Sequence, residues 1–325
     1  MRIIFLGTPE FAVPPLAALA DAGHDIVCVV TQPDRPSGRR RCLAAPPAKA
    51  FALERGLLVR QAEDVNAEAF VDGLAELRPD AIVVAAFGQK LGRRLLALPP
   101  LGCINVHASL LPRHRGAAPV AHAILAGDAE TGVTIMRMGE RIDTGDILGQ
   151  EATPIGPRER AGELAARLAA LGACLLIRTL SRLAAGKVQP IPQDSRLASR
   201  APALSKGDGA VDWNRPAPWL ARFVRAMHPW PGAFTFWRPQ GRPPLRLVLH
   251  EAEAIAGGEG FPGRIAQAGH GTIQVVAGEG VLSISRLQPA GGRPMGADEF
   301  LRGHRVAPGD SFGPPPGTHE TGDEP

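Results

Sequence analysis

The chain has 325 residues, which is enough for two domains that each bury a hydrophobic core. Its hydrophobic content of 45% excludes a disordered chain, and its formal net charge of +4 permits an acidic partner without requiring one. No apolar stretch approaches the roughly 20 residues that span a bilayer, and the four cysteines and nine histidines show neither a disulfide framework nor metal-ligand spacing. We therefore expect a cytoplasmic protein without a metal or a membrane partner.

Strands and helices alternate through the first half of the chain. Apolar runs predict strands at 2–6, 25–31, 57–59, 81–87, 102–106, 131–138 and 147–153. Helical spacing of apolar residues predicts helices at 11–22, 48–55, 67–77, 119–126 and 160–185. This alternation predicts an α/β fold, with a doubly wound, Rossmann-like and mostly parallel sheet over residues 1–188.

The second half has a different pattern. Residues 189–206 contain several prolines and mostly basic charges, and they are predicted to form a basic linker. A helix is predicted at 217–227, and short apolar runs then alternate with glycine turns, which is typical of a small antiparallel barrel of the OB type over 207–312. Residues 313–325 lack apolar content and are predicted to be a disordered tail.

A basic loop at residues 33–46 follows the second predicted strand and contains Arg35, Arg39, Arg40 and Arg41. A structureless loop of this length in a compact domain is usually functional or disordered. Its arginines are either a solvated surface charge or a clamp for the phosphates of a nucleic acid. The residues alone leave both interpretations open.

Two motifs carry the candidate chemistry, INVHASLLPRHRG at 104–116 and RIDTG at 141–145. Asn105 and His107 are two residues apart, so they share one face at the carboxyl end of a strand, where open α/β sheets bind ligands. Asp143 adds a carboxylate in a glycine-flanked loop. An amide donor, an imidazole and a carboxylate together suit general acid–base chemistry. An Asn-x-His pair alone is commonly only a polar turn, and a single DTG outside an all-β pattern argues against an aspartic protease.

The run NVHASLLPRHRGAAPV, followed by GDAETGVTIMRM and IDTGD, resembles the formyltransferases that use 10-formyltetrahydrofolate. Its SLLP-R-x-RGAAP form is similar to the methionyl-tRNA formyltransferases in particular. The C-terminal runs FPGRIAQ and GTIQVVAGEGVLSISRLQ resemble the OB-like tRNA-binding domain of that family, so the resemblance covers almost the whole chain. It implies formyl transfer from 10-formyltetrahydrofolate to the amino group of methionyl-initiator-tRNA, giving N-formylmethionyl-tRNA for translation initiation. We expect a monomer.

The resemblance also implies roles for individual residues. Asn105 and His107 would stabilise the oxyanion, and Asp143 would help to move the proton of the attacking amine. The folate would lie in an apolar slot lined by Phe87, Gly88, Leu91, Ser109, Leu110, Leu111, Pro112, Ile142 and Thr144. The tRNA would be bound by Arg35, Arg39, Arg40, Arg41, Arg113, Arg115 and Lys206.

Three other functions fit part of these observations. A formyltransferase that acts on glycinamide ribonucleotide or an amino sugar would share the Asn-His-Asp set, but the basic insert, the RGAAP turn and the C-terminal barrel favour tRNA. A non-catalytic nucleic-acid-binding protein could use the barrel, although an aromatic content of 5% leaves few stacking residues. A hydrolase that splits 10-formyltetrahydrofolate would need no amine acceptor.

Overall fold

The computed structural model describes residues 1–37, 42–307 and 309–314. The chain divides into two compact units. The first comprises Met1–Ala123, Ala129–Ile155 and Glu163–Ala203. The second comprises Ile124–Asp128, Gly156–Gly162 and the chain from Leu204 onward.

The first unit is an α/β fold. Two of its helices, Pro119–Ala126 and Ala161–Ala184, also have residues in the second unit. Its strands are β1 (Arg2–Gly7), β2 (Asp25–Thr31), β3 (Arg35–Ser37), β4 (Cys42–Ala44), β5 (Val59–Gln61), β6 (Ala81–Ala85), β7 (Cys103–His107), β8 (Glu130–Arg137) and β9 (Ile147–Pro154). The helices are α1 (Val13–Asp21), α2 (Pro47–Glu54), α3 (Glu68–Ala75), α4 (Arg93–Leu96), α5 (Pro119–Ala126) and α6 (Ala161–Ala184). Single 3-10 turns occur at Glu10–Ala12 and Ser195–Leu197.

Seven of these strands form one sheet in the order β5-β2-β1-β6-β7-β8-β9. The strands from β5 to β7 pair in parallel, and β8 and β9 add two antiparallel pairings at one side. From β1 the chain builds β2 and β5 on one side and later β6 and β7 on the other, so the strand order reverses between β1 and β6. Open α/β sheets bind ligands at the carboxyl ends of the strands beside such a reversal. The predicted doubly wound, mostly parallel sheet is confirmed.

The strands are continuously apolar because helices cover both faces of the sheet. On one face, Ile4 and Ile82 belong to a buried cluster with Leu74 of α3 and Leu95 of α4. On the other face, α6 packs so closely that a Cβ on Gly172 would lie 2.9 Å from Val106 Cγ1. Since side chains alternate along β7, its residues 105 and 107 point to the face opposite α6.

Helix α6 corrects one expectation from the sequence. A window of this 24-residue helix has a mean hydropathy of 1.5, so by length and composition alone it could cross a membrane. Half of that window is buried inside the protein, and Leu164, Leu168 and Leu176 are fully buried. The apolar stripe of α6 therefore belongs to the core of the first unit.

The second unit contains a single antiparallel sheet. Its strands are β10 (Ala233–Arg238), β11 (Leu245–Ile255), β12 (Ile265–Gly269), β13 (Thr272–Val276), β14 (Val281–Pro289), β15 (Met295–Gly296) and β16 (Ser311–Gly313), with helices α7 (Ala217–Ala226) and α8 (Ala297–Gly303). The order is β12-β13-β14-β11-β10-β16, and β15 pairs with β14. The sheet curls until its two ends meet, since the Phe312 N–H donates to the Gly263 carbonyl at 2.7 Å. The predicted antiparallel barrel is confirmed.

Aromatic side chains form much of the core of this second unit. Trp213 packs against Phe312, and Trp237 packs against Phe300, with ring centroids 5.8 and 5.7 Å apart. Each indole N–H has a buried acceptor: Trp213 Nε1 donates to Thr235 Oγ1 at 3.0 Å, and Trp237 Nε1 donates to a carboxylate oxygen of residue 310 at 3.1 Å. All four tryptophans of the chain lie in this unit, at positions 213, 219, 230 and 237.

Some elements differ from the prediction. The basic loop at 33–46 carries a small hairpin, β3–β4, in which Arg35 is opposite Ala44. The strand predicted at 57–59 runs from Val59 to Gln61. The first unit continues to Ala203, so most of the predicted linker packs within it, and the predicted tail begins at Gly313, which is the last residue of β16. Arg39, Arg40, Arg41 and residues 315–325 lie outside the described residues.

Candidate active site

Strand β7 presents Asn105 and His107 at the carboxyl edge of the sheet, next to β6, which borders the reversal point. β7 is paired on both sides, with Asn105 opposite Val84 of β6 and His107 opposite Thr134 of β8. Asn105 is 9% exposed and His107 is 5% exposed. The Asn105 amide makes no hydrogen bond to another residue in the described part of the chain. Its N–H groups are therefore available to a ligand.

The two nitrogens of His107 have different surroundings. Nε2 lies 3.0 Å from the carbonyl oxygen of His114. Because a carbonyl only accepts, Nε2 carries a hydrogen and donates it. Nδ1 faces Asp143 Oδ2 at 3.8 Å, which is within ion-pair range but longer than a hydrogen bond. Asp143 therefore borders the ring nitrogen of His107 that does not donate to the His114 carbonyl.

Asp143 is buried at 9% exposure, and its Oδ2 accepts the N–H of Gly116 at 2.8 Å. Its backbone is left-handed, with φ at +52°, and His114 on the facing loop has φ at +57°. Such conformations cost of order 1–3 kcal/mol for a residue with a side chain, so they persist only where the surroundings hold them. The residues that hold these two positions come from a distant part of the chain.

Residues 191–201, which we call the bracing segment, run alongside both loops. Ile191 exchanges two backbone hydrogen bonds with Ile147, both 2.9 Å long. Ser199 Oγ accepts the N–H of His114 at 2.9 Å. Ala201 approaches so closely that a Cβ on Gly116, where φ is +130°, would lie 2.3 Å from the Ala201 carbonyl oxygen. The RHRG turn therefore needs a glycine at this position.

Gln193 of the bracing segment contacts both loops with its side chain. Its Oε1 accepts from Arg115 Nε at 3.1 Å and from Arg115 Nη2 at 2.7 Å. Its Nε2 donates to the carbonyl oxygens of Asp143 at 3.0 Å and Gly145 at 2.7 Å. Sequence reasoning missed Gln193 and Ser199, because they lie in the predicted linker and belong to no motif.

The SLLP loop is held by polar contacts to the sheet. Ser109 is fully buried, and its hydroxyl donates to the Arg113 carbonyl at 2.7 Å. Thr134 Oγ1 donates to the Ser109 carbonyl at 2.6 Å and accepts the Leu111 N–H at 3.0 Å. Gln150 Nε2 donates to the Leu111 carbonyl at 2.8 Å. Thr134 and Gln150, which sequence reasoning also missed, thus shape this loop.

A second set of contacts joins the loops that follow β1, β2 and β6. Thr8 Oγ1 donates to the Phe87 carbonyl at 3.1 Å and accepts the Gln32 N–H at 3.3 Å. The side chains of Phe87 and Leu91 are buried in the core cluster. Gly88 is exposed, with φ at +90°. This side of the crevice therefore offers backbone groups around residue 88 rather than the predicted apolar side chains.

The remaining predicted site residues are distributed as follows. Leu110, Pro112 and Thr144 are half-buried, Leu111 is buried, and Ile142 is 65% exposed. Arg35, Arg113 and Lys206 are exposed, and Arg115 is half-buried. The structure thus brings Asn105, His107 and Asp143 together with the SLLP and RHRG turns. Lys206 lies in the second unit.

Neither a metal nor a thiol nucleophile is indicated here. The described residues contain no group of three or more His, Cys, Asp and Glu side chains that could hold a metal ion. Cys103 begins β7, and burial raises the pKa of its thiol to about 12. A thiol with such a pKa stays protonated at neutral pH and is not a nucleophile.

The chain matches known formyltransferases along almost its whole length. Residues 1–180 match the family model for "Formyl transferase", and residues 203–305 match that for "Formyl transferase, C-terminal domain". The methionyl-tRNA formyltransferase of Moorella thermoacetica is 44% identical over 96% of this chain and 99% of its own length. That of Chloroflexus aurantiacus strain J-10-fl is 47% identical over 93% of this chain and 97% of its own length.

Solved structures share the fold at low identity. HypX from Aquifex aeolicus, in complex with tetrahydrofolic acid, matches with a TM-score of 0.62 and 18% identity over 93% of this chain and 47% of its own. The N-formyltransferase from Helicobacter canadensis, in complex with folinic acid and dTDP-3-aminofucose, matches with a TM-score of 0.62 and 15% identity over 87% of this chain and 98% of its own. These structures show the fold alone. The two family models and the relatives at 44–47% identity show that the chain belongs to the family of methionyl-tRNA formyltransferases, which are enzymes of one-carbon formyl transfer.

Proposed function

We propose that this enzyme transfers the formyl group of 10-formyltetrahydrofolate to the α-amino group of methionyl-initiator-tRNA, giving N-formylmethionyl-tRNA. Methionyl-tRNA is the acceptor in the names of relatives that are 44–47% identical over at least 93% of the chain. The chemistry rests on one observation above all. A buried amide, imidazole and carboxylate from Asn105, His107 and Asp143 meet at the carboxyl edge of the sheet.

The reaction needs an oxyanion site and a route for one proton. The neutral amine attacks the formyl carbon, and the carbonyl electrons move to its oxygen. The amide of Asn105, which makes no hydrogen bond within the described protein, donates to that oxyanion. A protonated Nδ1 of His107 adds a second donor, and the Asp143 carboxylate beside it balances the positive charge.

The Asp143–His107 pair takes the proton lost by the amine and passes it to N10 of the folate, as the formyl carbonyl re-forms and the C–N10 bond breaks. Oδ2 of Asp143 is tied to the Gly116 N–H, which leaves Oδ1 as the oxygen that accepts the amine proton. The donor folate already carries an activated formyl group. The proposed reaction therefore uses neither a metal nor a covalent enzyme intermediate.

The substrates are proposed to bind on opposite sides of these three residues. The folate would contact the SLLP turn, the backbone at Phe87 and Gly88, and the loop at Ile142 and Thr144. The tRNA phosphates would be neutralised by Arg35, Arg39, Arg40, Arg41, Arg113, Arg115 and Lys206. We propose that the enzyme works in the cytoplasm as a monomer.

The test is to mix the protein with 10-formyltetrahydrofolate and methionine-charged initiator tRNA and to measure formyl-methionine after deacylation. Charged elongator methionyl-tRNA, glycinamide ribonucleotide and an amino sugar nucleotide serve as competing acceptors, and one reaction has no acceptor. We expect formyl transfer to initiator tRNA in preference to the others. Preferred transfer to a small amine would contradict the proposal, as would folate deformylation that needs no acceptor.

A further inference from the structure

We propose that Gln193 is a positioning residue for formyl transfer, which holds Asp143 in place with one end of its side-chain amide and orients Arg115 with the other. Gln193 lies outside every motif discussed above. The inference rests on the proposed function for its kinetic consequences. Its structural part concerns only the Asp143 loop and stands independently.

The donor end of the amide is directed at the turn that carries Asp143. Nε2 has two hydrogens, and it donates one to the Asp143 carbonyl and one to the Gly145 carbonyl. One of these carbonyls belongs to Asp143 itself, whose φ is +52°, and the other belongs to Gly145, two residues further along the same turn. If this contact is lost, the turn can relax toward ordinary φ values, and the carboxylate would move away from the Gly116 N–H and from His107 Nδ1.

The acceptor end fixes an arginine. Oε1 has two lone pairs, and both are used by Nε and Nη2 of Arg115, which approach as a fork. The backbone of Arg115 is fixed as well, because its N–H donates to the Ser199 carbonyl at 2.8 Å and its carbonyl accepts from Ala201 at 2.7 Å. Arg115 therefore presents its remaining N–H groups in a defined direction, as phosphate recognition requires.

Glutamine is the side chain that suits both contacts. Glutamate has the same length and would still accept from Arg115, but it has no hydrogen to donate to the two carbonyls. Methionine has a similar length and makes neither contact. The pair Gln193→Glu and Gln193→Met thus separates the effect on Asp143 from the effect on Arg115.

We expect both variants to lower kcat, by roughly 10- to 100-fold, because a displacement of about 1 Å in a catalytic group costs about 100-fold. Only Gln193→Met should also raise KM for the charged tRNA, since Gln193→Glu keeps the guanidinium oriented. In an Asp143→Ala background, Gln193→Met should lower kcat no further. A general structural role would instead change kcat and KM together in both variants.

A matched control and a readout independent of activity complete the experiment. Ser195→Ala alters an exposed residue of the bracing segment whose hydroxyl contacts neither loop, and it should leave kcat and KM unchanged. Hydrogen exchange of the Gly116 amide, which Asp143 Oδ2 protects, should be faster in both Gln193 variants and in Asp143→Ala. Thermal melting shows whether each variant is folded.

The outcomes separate the two proposals. If the wild type transfers no formyl group to the charged initiator tRNA but Gly116 exchange accelerates in the variants, the proposed function fails and the positioning role of Gln193 stands. If the folded Gln193 variants keep both the wild-type kcat and the wild-type Gly116 exchange, the positioning role is overturned.

Discussion

Two buried aspartates, one in each unit, have different hydrogen-bond partners. Asp310 in the second unit is 3% exposed and accepts three hydrogen bonds, from Trp237 Nε1 at 3.1 Å and from the backbone N–H groups of Gln240 at 3.2 Å and Ala307 at 3.1 Å. Asp143 in the first unit accepts one backbone N–H and faces an imidazole that can gain or lose a proton. Burial alone therefore does not identify a catalytic carboxylate. Fixed donors satisfy Asp310, as expected of a structural residue, whereas the catalytic role proposed for Asp143 requires an oxygen that remains available for proton exchange.

The largest expected effect concerns the catalytic side of this comparison. Asn105→Ala, His107→Ala and Asp143→Ala should each lower kcat by on the order of 100- to 1000-fold, because each removes a group that we propose stabilises charge in the transition state. Double variants should lose far less than the product of the single losses, since the residues act together. The measurement is single-turnover formyl transfer with saturating folate and charged tRNA.

Each of these variants should melt close to the wild-type temperature. Turnover near the wild-type value in any folded single variant would remove that residue from the catalytic set.

Replacing Asp310 should lower the stability of the second unit rather than kcat. Asp310→Ala leaves the buried indole N–H of Trp237 and two partly buried backbone N–H groups without their acceptor. Because only the indole N–H is fully shielded from water, we expect the free energy of unfolding to fall by about 1–3 kcal/mol, the cost of one unsatisfied buried group. Urea unfolding followed by tryptophan fluorescence reports this change, because all four tryptophans lie in the second unit.

The matched control is Glu259→Ala, which removes an exposed carboxylate and should leave the urea midpoint unchanged. A loss of kcat in folded Asp310→Ala at low temperature, with an unchanged urea midpoint, would mean that the two aspartates do not differ in the way proposed.

A smaller effect is expected for the basic residues of the two units that we propose bind tRNA phosphates. Replacing Arg39, Arg40 and Arg41 with alanine should flatten the dependence of log affinity on log salt by roughly two to three units, whereas Lys206→Ala should flatten it by just under one unit. Folate binding, which we propose involves an uncharged pterin in a separate slot, should not change in either variant. The measurement is tRNA binding across a salt series, with folate binding in parallel. An unchanged slope in the triple variant would mean that the loop is only a solvated charge.

The smallest effect concerns an accessible carboxylate of the first unit. Lys49 Nζ and Gln61 Nε2 donate hydrogen bonds to Asp34, and these bonds lower the pKa of its carboxyl below its ordinary value of 3.8. A lowered folded-state pKa contributes stability that is present above pH 3.8 and is lost as the pH falls through the folded pKa. Asp34→Asn should therefore be less stable than the wild type at pH 6, and the difference should shrink below pH 3.8.

Circular dichroism during urea unfolding at pH 6, 4 and 3 tests this expectation. A difference in stability that stays constant over this range, or that grows as the pH falls, would show that the Lys49 contact does not depend on the charge of Asp34.

The sequence was most informative where the position of a side chain follows from the periodicity of a single strand or helix. The spacing of Asn105 and His107 on a strand correctly placed both on one face, and the apolar runs correctly predicted the central strands. The contacts of Gln193 and Ser199 could not be predicted, because they join residues 48 to 85 positions apart and have no periodic signal. Phe87 and Leu91 were assigned to a ligand slot but lie in the core, since an apolar side chain beside a crevice fits either environment.

The bracing segment also determines how long a fragment of the first domain must be to keep the structure of the candidate site. The formyl transferase family model stops at residue 180, and the predicted domain boundary of 188 is only slightly later. A fragment cut at either point keeps Asn105, His107 and Asp143 but lacks the side chains that hold the two left-handed turns. An excised or transplanted catalytic module should therefore extend to Ala203, where the first compact unit ends.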